Sequence, residues 1–210
     1  MNWFEAIVNK LGGEESAERF LRDELAVCER PKNNIILELV STVVVTATTG
    51  KFIAKDKFVV NTKRNAPVKI SYLDDNFTLW FLNGDGKTED PESEQTLRYH
   101  KLRQSSVDGP IIAELGGAEK SETTLSEMFS LMEKQKNGED GCLLNNGHSN
   151  IFYIKDGTGM LRAVGVVWHD DGWYVGAGGV ASPYGWDVGR RVFSRNSALM
   201  PLEPSAPAQA

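Results

Sequence analysis

The residues most able to do chemistry stand at His169-Asp170-Asp171. A histidine beside carboxylates can orient a general base or bind a metal ion. The same residues are also hairpin chemistry, because Asp170-Asp171-Gly172 tolerates the backbone angles of a tight turn. Neighbours on a strand point to opposite faces, so His169 and Asp170 converge only if the turn bends them together. A second constellation is aromatic and cationic: Trp168, Trp173, Tyr184, Trp186 and Arg190, with Tyr174 and Arg191 nearby. Exposed aromatics with an arginine beside them suit a sugar, a peptide or a protein partner.

Other motifs fall short of their chemistry. Gly84-Asp85-Gly86-Lys87-Thr88 ends like a phosphate-binding loop, but Phe81 stands where the first glycine belongs and acidic residues follow. Asn83, Asp85, Glu89 and Asp90 offer oxygen to calcium, yet Lys87 interrupts the ligand spacing. Cys142 and His148 lack a second pair for zinc, and His100 is remote from both. Ser194 has no glycine flank of the nucleophile-elbow type. Gly176, Gly178 and Gly179 lie inside a strand-like run with no helix after it, so they mark a bulge or a close backbone approach, not a dinucleotide site. Neither a metal nor a cofactor is expected.

The elements that must position these groups follow from periodicity. In the stretch 150–196, strand-forming residues alternate with Asp156-Gly157-Thr158-Gly159 and Asp170-Asp171-Gly172, which predicts an antiparallel meander. Thr124 and Glu127 form a capping box, and Leu125, Met128, Phe129 and Met132 make one helical stripe, so residues 123–136 are expected to be a central helix. Residues 2–11 and 14–30 read as two N-terminal helices. One long strand, or two with a bend near Ser41, is expected over 35–47, and another strand over 96–104. Hairpins are expected around Lys55-Asp56-Lys57 and around Asp74-Asp75-Asn76, the latter with Phe77, Leu79 and Phe81 alternating on the return. A short strand is expected over 111–115, and an exposed acidic loop over 83–95.

These readings give an α+β fold, mainly antiparallel sheet, with two N-terminal helices and one central helix. Residues 1–33 form a helical segment and 34–196 the β-rich domain, either one unit or two subdomains at 34–116 and 139–196. Residues 197–210 form a flexible Pro/Ala tail.

The chain has 210 residues, 40% hydrophobic and 25% charged, with formal net charge −6. That composition predicts a folded protein, and the negative balance argues against nucleic acid as partner. Two cysteines, Cys28 and Cys142, are too few for a disulfide framework and are expected to be reduced. No apolar run reaches the roughly 20 residues needed to cross a bilayer, and no signal peptide is visible, so a soluble cytoplasmic protein is expected without membrane partners. Trp3, Phe4 and Ile7 suggest a homo-oligomer through residues 3–11.

Three segments, Ser105-Ser106-Val107-Asp108-Gly109-Pro110-Ile111-Ile112-Ala113-Glu114-Leu115, Thr124-Leu125-Ser126-Glu127-Met128-Phe129 and Arg191-Val192-Phe193-Ser194-Arg195-Asn196, resemble stretches of uncharacterised proteins of small-genome bacteria. The resemblance spans residues 50 to 196 and implies no activity. The functional expectation is therefore a non-enzymatic binding module that presents Trp168, Trp173, Tyr184, Trp186 and Arg190 to a protein, sugar or peptide. The alternative is a small hydrolase or metal-dependent enzyme centred on His169, Asp170 and Asp171.

Overall fold

The capping box at Thr124 forms as the sequence predicts: its side chain accepts from the Glu127 amide while the Glu127 carboxylate accepts from the Thr124 amide. The computed structural model in which this is seen describes residues 35–195, together with Glu15 and Glu18, which are helical. The rest of the two expected N-terminal helices, Cys28, the 3–11 segment and the tail lie outside the described residues.

Ten strands are described: β1 (Leu37–Val45), β2 (Phe52–Ile53), β3 (Ile70–Leu73), β4 (Thr88–Glu89), β5 (Gln95–Leu102), β6 (Glu122–Thr123), β7 (Asn150–Lys155), β8 (Leu161–His169), β9 (Gly172–Gly179) and β10 (Arg191–Arg195). Five α-helices accompany them: α1 (Ala54–Lys57), α2 (Asp75–Phe77), α3 (Asp108–Glu114), α4 (Ala118–Ser121) and α5 (Leu125–Lys134). The main sheet runs β1-β5-β10-β7-β8-β9-β3, with β6 added to β7, while β2 and β4 pair separately. The expected meander is present as β7, β8 and β9. Strands from both halves of the chain share this one sheet, because β10 returns to lie between β5 and β7. The long pairings are antiparallel, whereas β10–β7, β3–β9 and β6–β7 are short parallel joints that no local pattern announces. The bend expected near Ser41 is a register shift in β1 between Leu39 and Ser41.

Three local expectations are corrected. Around Lys55-Asp56-Lys57 the chain makes the short helix α1, and β2 pairs with β4 instead of with residues 58–62. After β3 the chain turns helical: Asp74 Oδ1 accepts from the Phe77 amide at 2.6 Å as an N-cap, and α2 runs into a π-helical turn at Thr78–Leu82. Phe77 and Phe81 are buried four residues apart on one helical face, while Leu79 is exposed. Residues 111–115 lie mostly in α3, because Asp108 and Pro110 occupy a first turn, where a missing amide proton costs nothing. The acidic loop also has a structural member: both oxygens of Glu89 accept from the amides of Leu125 and Ser126, at 2.9 and 2.8 Å, at the N-terminus of α5.

Strand alternation sorts the side chains into two cores. Phe152, Ile154, Val164, Val166, Trp173, Val175 and Phe193 join the buried stripe of α5 in the larger one. Ile151, Tyr153, Ala163, Val192 and Leu102 join Ile111 of α3 on the opposite face. The seven-residue α3 covers only part of that second face, and a cleft remains beside it over β8 and β9.

Candidate functional site

The cleft owes its depth to small residues. Ala163 and Gly165 of β8 and Gly176 and Gly178 of β9 line it where the same strands turn Val164, Val166 and Val175 into the opposite core. Cross-strand pairing puts Ala163 opposite Gly178 and Gly165 opposite Gly176, so the small residues form one patch. The volume is about 280 Å³. A side chain at Gly176 would lie 2.7 Å from Asp74 Oδ2, so glycine is required there for close packing. Gly178 meets no such obstacle, and a Cβ there would stand in open space.

The wall is the segment between β9 and β10. Trp186 and Ser106 exchange two backbone hydrogen bonds, at 2.8 and 3.1 Å, which fasten this segment to the chain entering α3. Gly185 allows the approach, since a Cβ there would fall 3.1 Å from the Ser106 carbonyl oxygen. The Trp186 indole lies over Gly165, whose own Cβ would come within 3.4 Å of the ring. Tyr184 stands beside it at the cleft mouth, 84% exposed.

Two carboxylates line the cleft, Asp74 and Asp108. Asp108 is the buried one. Its Oδ1 accepts from Trp186 Nε1 at 2.7 Å and from the Tyr153 hydroxyl at 2.9 Å, and no described residue donates to Oδ2. Burial pushes the Asp108 carboxyl above its ordinary range, against the pull of these two donors. Asp74 is held by the Phe77 amide and by the Ala177 amide, the latter at 3.0 Å. Tyr174 of β9 also lines the cleft and stacks on Tyr72 at 5.1 Å. Partial burial, then Asp74, raises the Tyr174 pKa, so its hydroxyl stays protonated. No lysine, arginine or histidine is among the residues lining the cleft.

The sequence-picked residues fall in different places. Tyr184 and Trp186 join the cleft. Trp168 and Trp173 lie on the opposite side of the sheet, pack edge to face at 5.3 Å, and contribute to the larger core. Trp173 is fully buried and donates Nε1 to the Gln135 carbonyl at 3.0 Å, so it presents no surface to a ligand. Alternation explains the division: odd and even positions of β8 and β9 face opposite ways. Arg190 does not line the cleft. It binds the Ser149 hydroxyl at 2.8 Å and Asp187 at 2.8 Å, and its guanidinium lies 5.5 Å from the Trp186 ring centre.

His169 pairs with Gly172 at the end of the β8–β9 hairpin, leaving Asp170 and Asp171 as its two exposed turn residues. The His169 ring meets Tyr174 edge-on at 6.3 Å. None of the hydrogen bonds described joins it to either aspartate. Among the described residues, no group of three or more His, Cys, Asp or Glu side chains is arranged to hold a metal ion. Cys142 is a half-buried free thiol whose pKa burial raises. Lys87, at the phosphate-loop look-alike, is committed to Glu89 at 2.9 Å and to the Lys155 carbonyl.

Asp108 was not singled out by its sequence neighbourhood, and nothing local marks it. The glycines of β9 did carry a signal, since glycine inside a strand marks a place where something must approach closely. No described helix is long and apolar enough to cross a membrane. Compared with protein-family profiles, with curated proteins and with solved structures, the chain shows no significant match to any of them.

Proposed function

We propose that this chain is a binding module that takes a small polar ligand, such as a sugar or a short peptide, into the cleft over β8 and β9. The observation that carries this reading is the small-residue floor beneath Trp186 and Tyr184. Binding sites are concave and largely apolar, with a few fixed polar groups, and this cleft has that composition. Trp186 supplies a flat ring already oriented by its bond to Asp108, and a pre-oriented ring loses little freedom when a ligand stacks on it.

The alternative of a small hydrolase centred on His169 lacks a comparable observation, since His169 is exposed and its two aspartates form a turn. The resemblance to uncharacterised proteins of small-genome bacteria brings no activity to either reading.

The test is a titration of the isotope-labelled protein with a panel of neutral saccharides and short peptides, followed by amide and indole NMR shifts. Saturable shifts confined to Gly165, Gly176, Gly178 and the Trp186 indole are expected for at least one member. Shifts that cluster around His169, or none at the cleft from the panel or from choline and its uncharged isostere, would overturn the reading.

A further inference from the structure

We infer that the group this cleft recognises is an organic cation, an ammonium carrying methyl or methylene surface. The inference rests on the cleft being the binding site and adds the charge of its ligand.

Four observations carry it. First, the charged side chains lining the cleft are both acidic, Asp74 and Asp108. Arg190 bonds Ser149 and Asp187 through its terminal nitrogens and does not line the cleft. An anion entering here would meet two carboxylates and no cationic side chain in the lining itself. Second, Asp108 is buried with both its structural bonds on Oδ1, which leaves Oδ2 without a donor among the described residues. An oxygen that no protein donor occupies is open to charge-assisted pairing with an incoming cation. Third, the aromatic lining is Tyr174, Tyr184 and Trp186, whose faces attract cations through the ring quadrupole. Fourth, the floor of Ala163, Gly165, Gly176 and Gly178 accepts methyl groups in contact, with the hydroxyls of Ser149 and Ser182 beside it. Carboxylate, aromatic faces and a small apolar floor together fit an alkylammonium better than a neutral polyol.

Choline and its uncharged isostere 3,3-dimethylbutan-1-ol differ in charge at nearly constant shape, and so separate the two claims. Both are titrated into the full chain, into Asp108→Asn and into Tyr184→Ala, with NMR shifts of the cleft amides and the Trp186 indole as readout. Asparagine keeps an acceptor for Tyr153 and Trp186, and Tyr184 is exposed, so both variants are expected to fold; their amide spectra report this directly. Choline is expected to bind about ten-fold or more tightly than the alcohol, and to lose about ten-fold in Asp108→Asn and several-fold in Tyr184→Ala. The alcohol should bind Asp108→Asn as it binds the parent. Equal affinity for the two probes would overturn the cation inference while leaving the cleft in place as the binding site. Failure of both probes to shift the cleft would also overturn it, and the saccharide and peptide panel would then decide the broader reading alone.

Discussion

The two faces of the main sheet are built from alternate residues of the same strands, yet one is sealed and the other open. Among the described residues, 24 buried apolar ones form one core beneath α5, including an edge-to-face cluster of Phe52, Phe58, Phe77 and Phe129. Beneath α3 there are seven. The difference lies in what covers each face. The α5 side receives a ten-residue helix, α2 with its π-helical extension and the aromatic side chains of the β2–α1 region. The α3 side receives a seven-residue helix and a loop, and the strands respond with glycine and alanine where the loop crosses. Stability is thus concentrated on one face, and the other is left with room for a ligand.

This contrast ranks the effects of substitution. Leu131→Ala, in the fully buried stripe of α5, is expected to cost about 3 kcal/mol in denaturant unfolding. A loss below about 1 kcal/mol would mean that the sealed face does not carry the fold.

Asp156, at the turn between β7 and β8, comes next. Burial opposes its ionisation, but donors from Thr158, Arg162 and Met160 outweigh that and hold its pKa at about 2. The contribution is therefore complete above the ordinary aspartate pKa and disappears as pH falls towards 2. Asp156→Ala should destabilise by about 2 kcal/mol near neutral pH and by progressively less in acid, as measured by unfolding at a series of pH values. A deficit independent of pH would contradict the ionised network.

Asp108 has the opposite sign. Its pKa is raised by burial, so the folded chain keeps a proton that the unfolded chain has already lost. Its contribution is greatest below the ordinary aspartate pKa and is lost as pH rises through the raised value. Asp108→Asn cannot ionise and should lose less stability than the parent as pH rises above the ordinary aspartate pKa. A steeper loss in the variant would show that the folded state stabilises the carboxylate, against the effect of burial.

Local rules recovered what local chemistry controls. The meander over β7 to β9 was legible because Asp170-Asp171 and Asp156-Gly157 specify turns between alternating strands. The Thr124 capping box was legible for the same reason. Two segments misled because short apolar spacing is ambiguous: Phe77 and Phe81 suit a strand at every second residue and a helix at every fourth. The Asp74 cap, which depends on the Ala177 amide 103 residues away, decides in favour of the helix. The aromatic residues grouped by sequence do not share one face, because Trp168 and Trp173 are sorted by register to the side opposite Trp186. The cleft itself could not be read, since the Asp108–Trp186 bond joins residues 78 positions apart and depends on β10 returning between β5 and β7.

Gly178→Val tests the central claim most directly. The position has open space above it, sits in a strand where a β-branched residue is well suited, and lines the cleft. Unfolding free energy within about 0.5 kcal/mol of the parent, together with loss of every ligand-induced shift at the Trp186 indole, is the predicted result. A folded Gly178→Val protein that still binds as the parent does would place recognition elsewhere and contradict the account.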